Sequence, residues 1–351
     1  MKVIKINPIE DLNPNPIWTK LLAQYDSDVF HSPGWMKSII QTYNFEISAF
    51  VVVDDDGEPM AGVAYCEIQD MMDCRIVSLP FSDFCDPLVK TKDQWNMLVE
   101  ELLKLHTPLT FKCLHNAIPL DDERVPMTGR DKWHCIDLKK DVESLWNSFH
   151  SSGRRAIRKA KKNGITVRIG ETKEDLEAFF NMHLRIRKYK YHLVAQPYEF
   201  FENIWNNFME EGNGALFLAY HEEKVIGGIF ALVWNNRFYY KFNASDVPNV
   251  NLRPNDLMVW EASQYGIQKG YDYLDFGLSS WDQEGLIRYK SKFASEEKTV
   301  SFLKHSPNGG WSAENQMMRT LLPQLTDLFI DPSVPDEITA KAGNILYRYF
   351  C

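Results

Sequence analysis

Two stretches of alternating apolar residues, far apart in the chain, resemble each other, and that likeness constrains the fold more than any other feature. Ala49-Phe50-Val51-Val52-Val53 leads into the turn Asp54-Asp55-Asp56-Gly57 and a second run over 61–67. Leu216-Phe217-Leu218-Ala219-Tyr220 leads into a polar turn over 221–224 and a run over 225–231. Each reads as a β-hairpin, because two apolar runs flank a short turn of Asp, Gly or charged residues. Phe50 and Phe217 stand 167 positions apart, and Gly62 and Gly228 stand 166 apart. Such spacing suits two related units in tandem, but any two hairpins share this much, and both readings stay open. The 351 residues exceed what one core usually organises, so length alone predicts two domains.

Around the first hairpin the pattern predicts helices over 17–25 and from about Ser32, a strand over 75–79, a helix over 93–105, and strands near Thr110 and Cys135. A helix over 142–163, closed by Gly164 as a left-handed stop, joins the halves. Beyond it the pattern predicts a strand over 165–169, helices over 173–188 and 198–209, and the second hairpin. Strands over 237–243, 273–276 and 299–303 then alternate with helices over 254–269 and 283–294. A helical tail is expected from Trp311, with a proline-rich loop over 331–336. The layout is mixed α/β.

Composition removes several classes of function. The six cysteines (66, 74, 85, 113, 135 and 351) form no C-x-x-C pair and lie near no histidine at zinc-ligand spacing, so neither a metal site nor a disulfide framework is expected. The chain lacks a P-loop, a G-x-G-x-x-G turn and an H-E-x-x-H helix, and Gly277-Leu278-Ser279-Ser280-Trp281 lacks the closing glycine of a nucleophile elbow. The first residues show no signal-peptide pattern and no apolar run reaches the roughly 20 residues of a membrane span, so a cytoplasmic protein is expected. The net charge of −9 argues against general nucleic-acid binding. Yet the segment 154–162 carries +6 and leaves −15 for the rest, which makes any anion site local.

Three groups of cations fall in places that invite a second reading. In the helix over 283–294, Leu286, Ile287, Phe293 and Ala294 form an apolar stripe with Lys290 at its centre, so the lysine either snorkels outward or serves a buried anionic partner. On the helix over 173–188, Arg187 continues the stripe of Leu176, Phe179, Phe180, His183 and Leu184, with Tyr191 four residues on; a structural ion pair is the commoner fate of such an arginine. Arg154, Arg158 and Lys161 share one side of the basic helix, where a charge run is usually a solvated face.

A set of segments in order carries a resemblance: 154–164, Gln196-Pro197-Tyr198-Glu199-Phe200-Phe201, Tyr240-Lys241-Phe242-Asn243-Ala244-Ser245-Asp246, Leu252-Arg253-Pro254-Asn255, Leu274-Asp275-Phe276-Gly277 and Gly285-Leu286-Ile287-Arg288-Tyr289-Lys290. Together, over roughly 150–305, they resemble FemAB-like proteins, the non-ribosomal peptidyltransferases of peptidoglycan cross-bridges and their acetyltransferase-like relatives. The resemblance implies two tandem GNAT-like domains, each a mixed sheet flanked by helices: 1–148 as a degenerate partner, 149–308 with the motifs, and 309–351 as a helical tail. It implies that Tyr289-Lys290 is the aromatic-lysine pair placing an ammonium beside the carbonyl under attack. It implies that Arg187 and Tyr191 hold a substrate phosphate, with Tyr240 serving the same cleft. From the first domain it implies Lys37 as a second phosphate contact and Asp83 or Asp86 facing the acceptor amine.

The activity implied by the resemblance is that of an acyl or aminoacyl transferase acting on an amine of a phosphate-bearing envelope or polysaccharide precursor. No tightly bound cofactor is expected; the co-substrate is an aminoacyl-tRNA or, second, an acyl-CoA, with the basic helix as a docking surface for tRNA and room for a peripheral membrane contact. The alternatives are a CoA-dependent N-acyltransferase on an amino sugar or small amine, and a non-catalytic GNAT pair that only binds. Of three departures, the last bears on the donor. Asn243 and Leu278-Ser279 depart from the residues common in relatives, and Leu252-Arg253-Pro254-Asn255-Asp256 has no glycine where a CoA-binding turn is glycine-rich.

Overall fold

The computed structural model describes residues 1–70, 73–307 and 313–351. The chain divides into two compact units, Met1–Asp131 with Thr299–Gln324 and Arg348–Cys351, and Lys132–Lys298 with Leu325–Tyr347. The first unit holds strands β1 (Lys2–Ile6), β2 (Ile9–Glu10), β3 (Asn13–Pro14), β4 (Ile47–Val53), β5 (Pro59–Asp70), β6 (Asp73–Val77) and β7 (Leu109–Cys113), and helices α1 (Pro16–Leu22), α2 (Pro33–Tyr43) and α3 (Lys92–Leu103). Strand β8 (Met127–Asp137) leads the chain into the second unit. Next come β9 (Ile165–Gly170), β10 (Gly214–His221), β11 (Lys224–Trp234), β12 (Arg237–Ser245) and β13 (Tyr273–Ser279). The helices of that unit are α4 (Val142–Ser148), α5 (Ser151–Lys162), α6 (Lys173–Ile186), α7 (Tyr198–Ile204), α8 (Pro254–Lys269) and α9 (Glu284–Lys290). Strand β14 (Glu296–His305) returns to the first unit, and α10 (Ala313–Ile330) and α11 (Asp336–Leu346) complete the chain. Trp311, where the helical tail was expected to begin, lies outside the described residues.

Topology decides the question the two hairpins left open. The first unit orders its strands β1-β4-β5-β6-β7-β14; every neighbouring pair is antiparallel except β6 and β7, which run parallel over Ile76↔Leu109 and Val77↔Thr110. The second orders them β9-β10-β11-β12-β13-β8, again antiparallel except for β12 and β13. Strand for strand the two sheets share one topology. The hairpins also agree in register: Phe50 faces Val63 beside Gly62, and Phe217 faces Ile229 beside Gly228. Both glycines have the same steric cause. A Cβ at Gly62 would lie 2.6 Å from the side chain of Leu21 on α1, and one at Gly228 would lie 2.5 Å from Phe179 on α6, so each lets a helix side chain seat on the sheet. The chain is a tandem pair of GNAT-type α/β units.

Each unit has its own core. In the first, Trp95, Leu98, Val99 and Leu102 of α3 pack on Phe50, Val52, Tyr65 and Phe111. In the second, α8 is buried along most of its length among Leu145, Phe149, Ile157, Ala160, Phe217 and Phe276. The helix expected over 142–163 is therefore two. Phe149 leaves helical conformation to pack edge-on against Trp260 and Phe293, and His150 caps the new start by accepting the Ser152 N–H. Because α4 and α5 pack on α8, the second unit begins at Lys132 rather than after residue 148, and the tail over 309–351 divides between the units instead of standing apart. Gly164 adopts the expected left-handed conformation.

Two further elements differ from the spacing. Helix α6 ends at Ile186 and continues as one π-helical turn, Arg187–Tyr191, which shifts the side chains away from the α-helical stripe. Helix α9 ends at Lys290, earlier than expected, and Leu286 of its supposed apolar stripe is 38% exposed, whereas Lys290 is buried.

Buried neutral histidines couple the fold to pH. Burial lowers His31 to about 4, and burial together with the nearby Arg187 charge lowers His183 to about 3, below the ordinary 6.5. The unfolded chain then binds more protons below pH 6.5, so stability is complete above that value and is lost as pH falls through the two folded values. Urea midpoints measured from pH 7 to pH 4 are expected to fall steadily. His31→Gln should make that slope shallower whatever it does to the midpoint at pH 7.

Candidate active site

The site in the second unit begins where two parallel strands part. Strands β12 and β13 pair only through Arg237↔Tyr273, Phe238↔Leu274 and Tyr239↔Asp275. At the same point β13 bulges against β8, with the register shifting between Asp275 and Leu278. The buried Asp275 carboxylate builds that bulge: one oxygen accepts the Gly277 N–H at 2.6 Å and the other accepts the Trp133 indole N–H at 2.9 Å. Gly277 takes φ +64, a conformation in which a side chain is strained. The Gly277 and Leu278 carbonyls are thereby released from a regular ladder.

Those carbonyls hold Lys290. Its Nζ donates to the Gly277 oxygen at 3.2 Å and to the Leu278 oxygen at 2.6 Å, and the residue is only 6% exposed. The spacing of α9 singled out a lysine that is indeed buried, but not as a member of an apolar stripe. In these two bonds backbone carbonyl dipoles receive the ammonium. His134 is fully buried, and burial first, then the Lys290 charge, lower it to about 4, while Glu297 acts the other way.

A second group of polar side chains gathers around Tyr240, Tyr289 and Asp256. Tyr240, on β12 just beyond the last paired residue, lies edge-on to Phe276 at 5.4 Å. Tyr289 packs against Phe293 at 5.6 Å, and its hydroxyl is buried without a hydrogen-bond partner among the described residues. Asp256, in the first turn of α8 and 3% exposed, likewise has Oδ1 without a partner there. Burial raises all three, and the Asp256 charge raises both tyrosines further. Buried oxygens without partners, such as those of Tyr289 and Asp256, are an arrangement common at reaction clefts.

The start of α8 is where a GNAT acyl-CoA pyrophosphate would be cradled, and the residues there fit it poorly. Pro254 supplies no N–H, Arg253 is left-handed at φ +72, Asn255 is engaged by the Ser245 hydroxyl at 2.8 Å, and Asp256 sets a carboxyl group in the first turn.

The remaining expected residues divide between the units. Arg187 is half-buried in the π turn, donates Nε and Nη2 to the Val194 carbonyl at 3.2 and 3.1 Å, and lies 5.8 Å from the Tyr347 ring; Tyr191 is 51% exposed. The fully buried cation of this segment is Lys188, which the sequence pattern did not single out. It donates to the Val334 carbonyl and to Asp336, and no local signal marks it because those partners lie about 150 positions away. Lys37, Asp83 and Asp86 belong to the first unit. Lys37 and Asp83 are half-buried. Asp86 is buried, accepts the backbone N–H groups of Leu114, His115 and Asn116, and is pushed up by burial to about 6, so its carboxylate is engaged in holding the loop after β7. Beside it, Cys85 Sγ lies 3.3 Å from His31 Nε2, but His31 accepts the Asp28 N–H at Nδ1 and so donates from Nε2 to the Asp86 carbonyl; it is not poised as a base for the thiol.

Among the described residues no helix is long and apolar enough to cross a membrane and no cluster of metal-ligating side chains occurs.

Known proteins share this fold. Residues 147–291 match the family model of the acetyltransferase (GNAT) domain. In structure the chain is similar to FemX, with a TM-score of 0.64 at 14% identity over 92% of this chain and 100% of that one. It is similar to the L-PGS of Bacillus licheniformis, at 0.54 and 12% over 90% and 98%, and to a tandem GNAT protein of the clavulanic acid biosynthesis pathway, at 0.53 and 9% over 88% and 100%. No curated protein sequence matches significantly. The resemblance to FemAB-like proteins and the GNAT fold both hold, and the chain is an enzyme of the acyltransferase class.

The bulge makes its own prediction. Gly277→Ala must force a side chain into the left-handed region, costing about 1–2 kcal/mol in urea unfolding, and should displace the carbonyls that hold Lys290. A variant as stable as the parent would show that the bulge is not under that constraint.

Proposed function

Because the chain carries a GNAT acyltransferase domain, we propose that it transfers an aminoacyl group from an aminoacyl-tRNA to an amine on a phosphate-bearing precursor of the cell envelope or of a polysaccharide. The observation that carries this reading is Lys290, a buried ammonium held by two carbonyls at the mouth of the β12–β13 parting. The acceptor nitrogen attacks the ester carbonyl carbon, and the carbonyl oxygen becomes an oxyanion facing the ammonium. The intermediate collapses with loss of the ester oxygen, which takes up a proton as the tRNA hydroxyl, while the acceptor amine gives one up to water or a carboxylate. No covalent enzyme intermediate is needed, since positioning and charge stabilisation supply much of the rate. Tyr289 shapes the pocket beside the lysine. Arg187 and Tyr191, with Tyr240, would receive the acceptor phosphate.

The choice of donor rests on the start of α8. A proline, a left-handed arginine and a buried carboxyl group make a poor cradle for a pyrophosphate, and an aminoacyl ester needs none there. The fold of L-PGS and that of a putative lysylphosphatidylglycerol synthetase domain from Agrobacterium fabrum, whose name denotes an aminoacylated phospholipid, support an aminoacyl donor and an envelope acceptor. The GNAT acetyltransferase match favours the second reading, a CoA-dependent N-acyltransferase.

Lys290→Met is expected to lower turnover by at least ~100-fold, the scale of losing an oxyanion contact, while circular dichroism and the thermal midpoint stay those of a folded protein. Near-normal turnover would remove Lys290 from the chemistry, and a ligand-binding profile untouched by the change would favour a binding protein. Calorimetry with acetyl-CoA and with charged tRNA tests the donor: saturable tRNA binding that weakens with salt and with reversal of Arg154 and Arg158 is expected, and tight CoA binding would overturn the choice.

A further inference from the structure

The π turn that carries Arg187 and Tyr191 is gripped from outside its own helix. A single carboxylate oxygen, Oδ1 of Asp336 in the first turn of α11, accepts from two consecutive residues of the turn: from Lys188 Nζ at 3.1 Å and from the Tyr189 hydroxyl at 2.7 Å. Lys188 also donates to the Val334 carbonyl, so the loop ahead of α11 joins the same grip. Neighbouring side chains of a helical turn do not face each other, and one oxygen serves both only while α11 is fixed against the turn.

The far end of α11 closes on the same segment. Gly343 lies so near it that a Cβ there would come within 2.4 Å of the Ala195 carbonyl oxygen. Val194, the residue before, supplies the carbonyl that accepts Arg187 Nε and Nη2, and Tyr347, just past α11, sets its ring 5.8 Å from that guanidinium. Nη1 takes no part in the bonds to Val194. The Lys188 ammonium is fully buried, and a charge taken out of water is costly to part from its counter-ion, so the contact with Asp336 holds the turn in one place.

We propose that Asp336 is a positioning residue for the acceptor: through Lys188 and Tyr189 it sets the π turn so that Arg187 and Tyr191 meet a phosphate group, which makes α11 a working part of the acceptor site. The proposal rests on the reading of Arg187 and Tyr191 as phosphate contacts. Asp336 itself touches no substrate; it acts on the turn, and the turn acts on the phosphate.

Titration calorimetry of the full chain with inorganic pyrophosphate, at a temperature where circular dichroism shows each variant folded, tests the two claims separately. Saturable binding at or below about 1 mM is expected, and Arg187→Ala should weaken it by about tenfold. If the parent does not bind, or Arg187→Ala binds equally well, the phosphate reading of Arg187 fails and the proposal with it. With that reading intact, Asp336→Ala and Gly343→Ala should each weaken binding by about tenfold through displacement of the turn, and Asp336→Glu should recover part of the loss. The double variant Lys188→Met/Asp336→Ala removes the buried charge together with its partner, so it keeps the test readable if Asp336→Ala does not fold; it is expected to bind as weakly as Asp336→Ala. Parent-like affinity in Asp336→Ala or in the double variant would overturn the positioning role while leaving Arg187 as a phosphate contact.

Discussion

A lysine ammonium taken out of water has to be given oxygen, and in the second unit that need is met by an interrupted strand. A regular β ladder commits its carbonyls to neighbouring strands. The bulge in β13 withdraws two of them, at Gly277 and Leu278, and turns them to Lys290. Asp275 makes the bulge by accepting the amide two residues ahead and an indole from β8. Trp133, Asp275, Gly277 and Lys290 thus form one chain of dependencies, from a packed sheet to a positioned charge. Two carbonyl dipoles thereby fix the direction of the ammonium.

The tandem architecture places a parallel-strand parting in each unit, and the two have been furnished differently. In the second, the parting holds tyrosines, a buried carboxyl group and one lysine. In the first, it opens on a cavity lined by several cations, aromatic rings and Cys351. One topology can support both because the strands fix only where a cavity forms, while the side chains facing away from the core decide what it can hold. The engaged carboxylate of Asp86 and the neutral imidazole of His31 show the complementary case, polar groups in the first unit whose work is to hold loops.

Much of this was legible in the chain before folding. Hairpin spacing, the stop at Gly164 and the prominence of Lys290 all follow from local pattern, because turn chemistry and amphipathic period act over a few residues. The errors have a common origin. Splitting the helix over 142–163 depends on Phe149 finding Trp260 and Phe293, which no window of local sequence contains. Burial of Lys188 depends on Asp336, and the division of the tail between the units depends on which core each part meets. Lys290 was singled out for a stripe that does not bury as expected, and its actual support, the bulge, is a long-range event on another element.

Periodicity and composition were enough to set the α/β class, the presence of two hairpins, and which residue types were available for chemistry. Folding in three dimensions was needed to establish that the hairpins belong to duplicated sheets, that Lys290 and not Lys292 or Arg288 is withdrawn from water, and that Asp256 and Tyr289 bury oxygens that find no hydrogen-bond partner among the described residues. Register, bulging and burial are settled by contacts between residues distant in sequence, and a pattern read along one strand or helix cannot contain them.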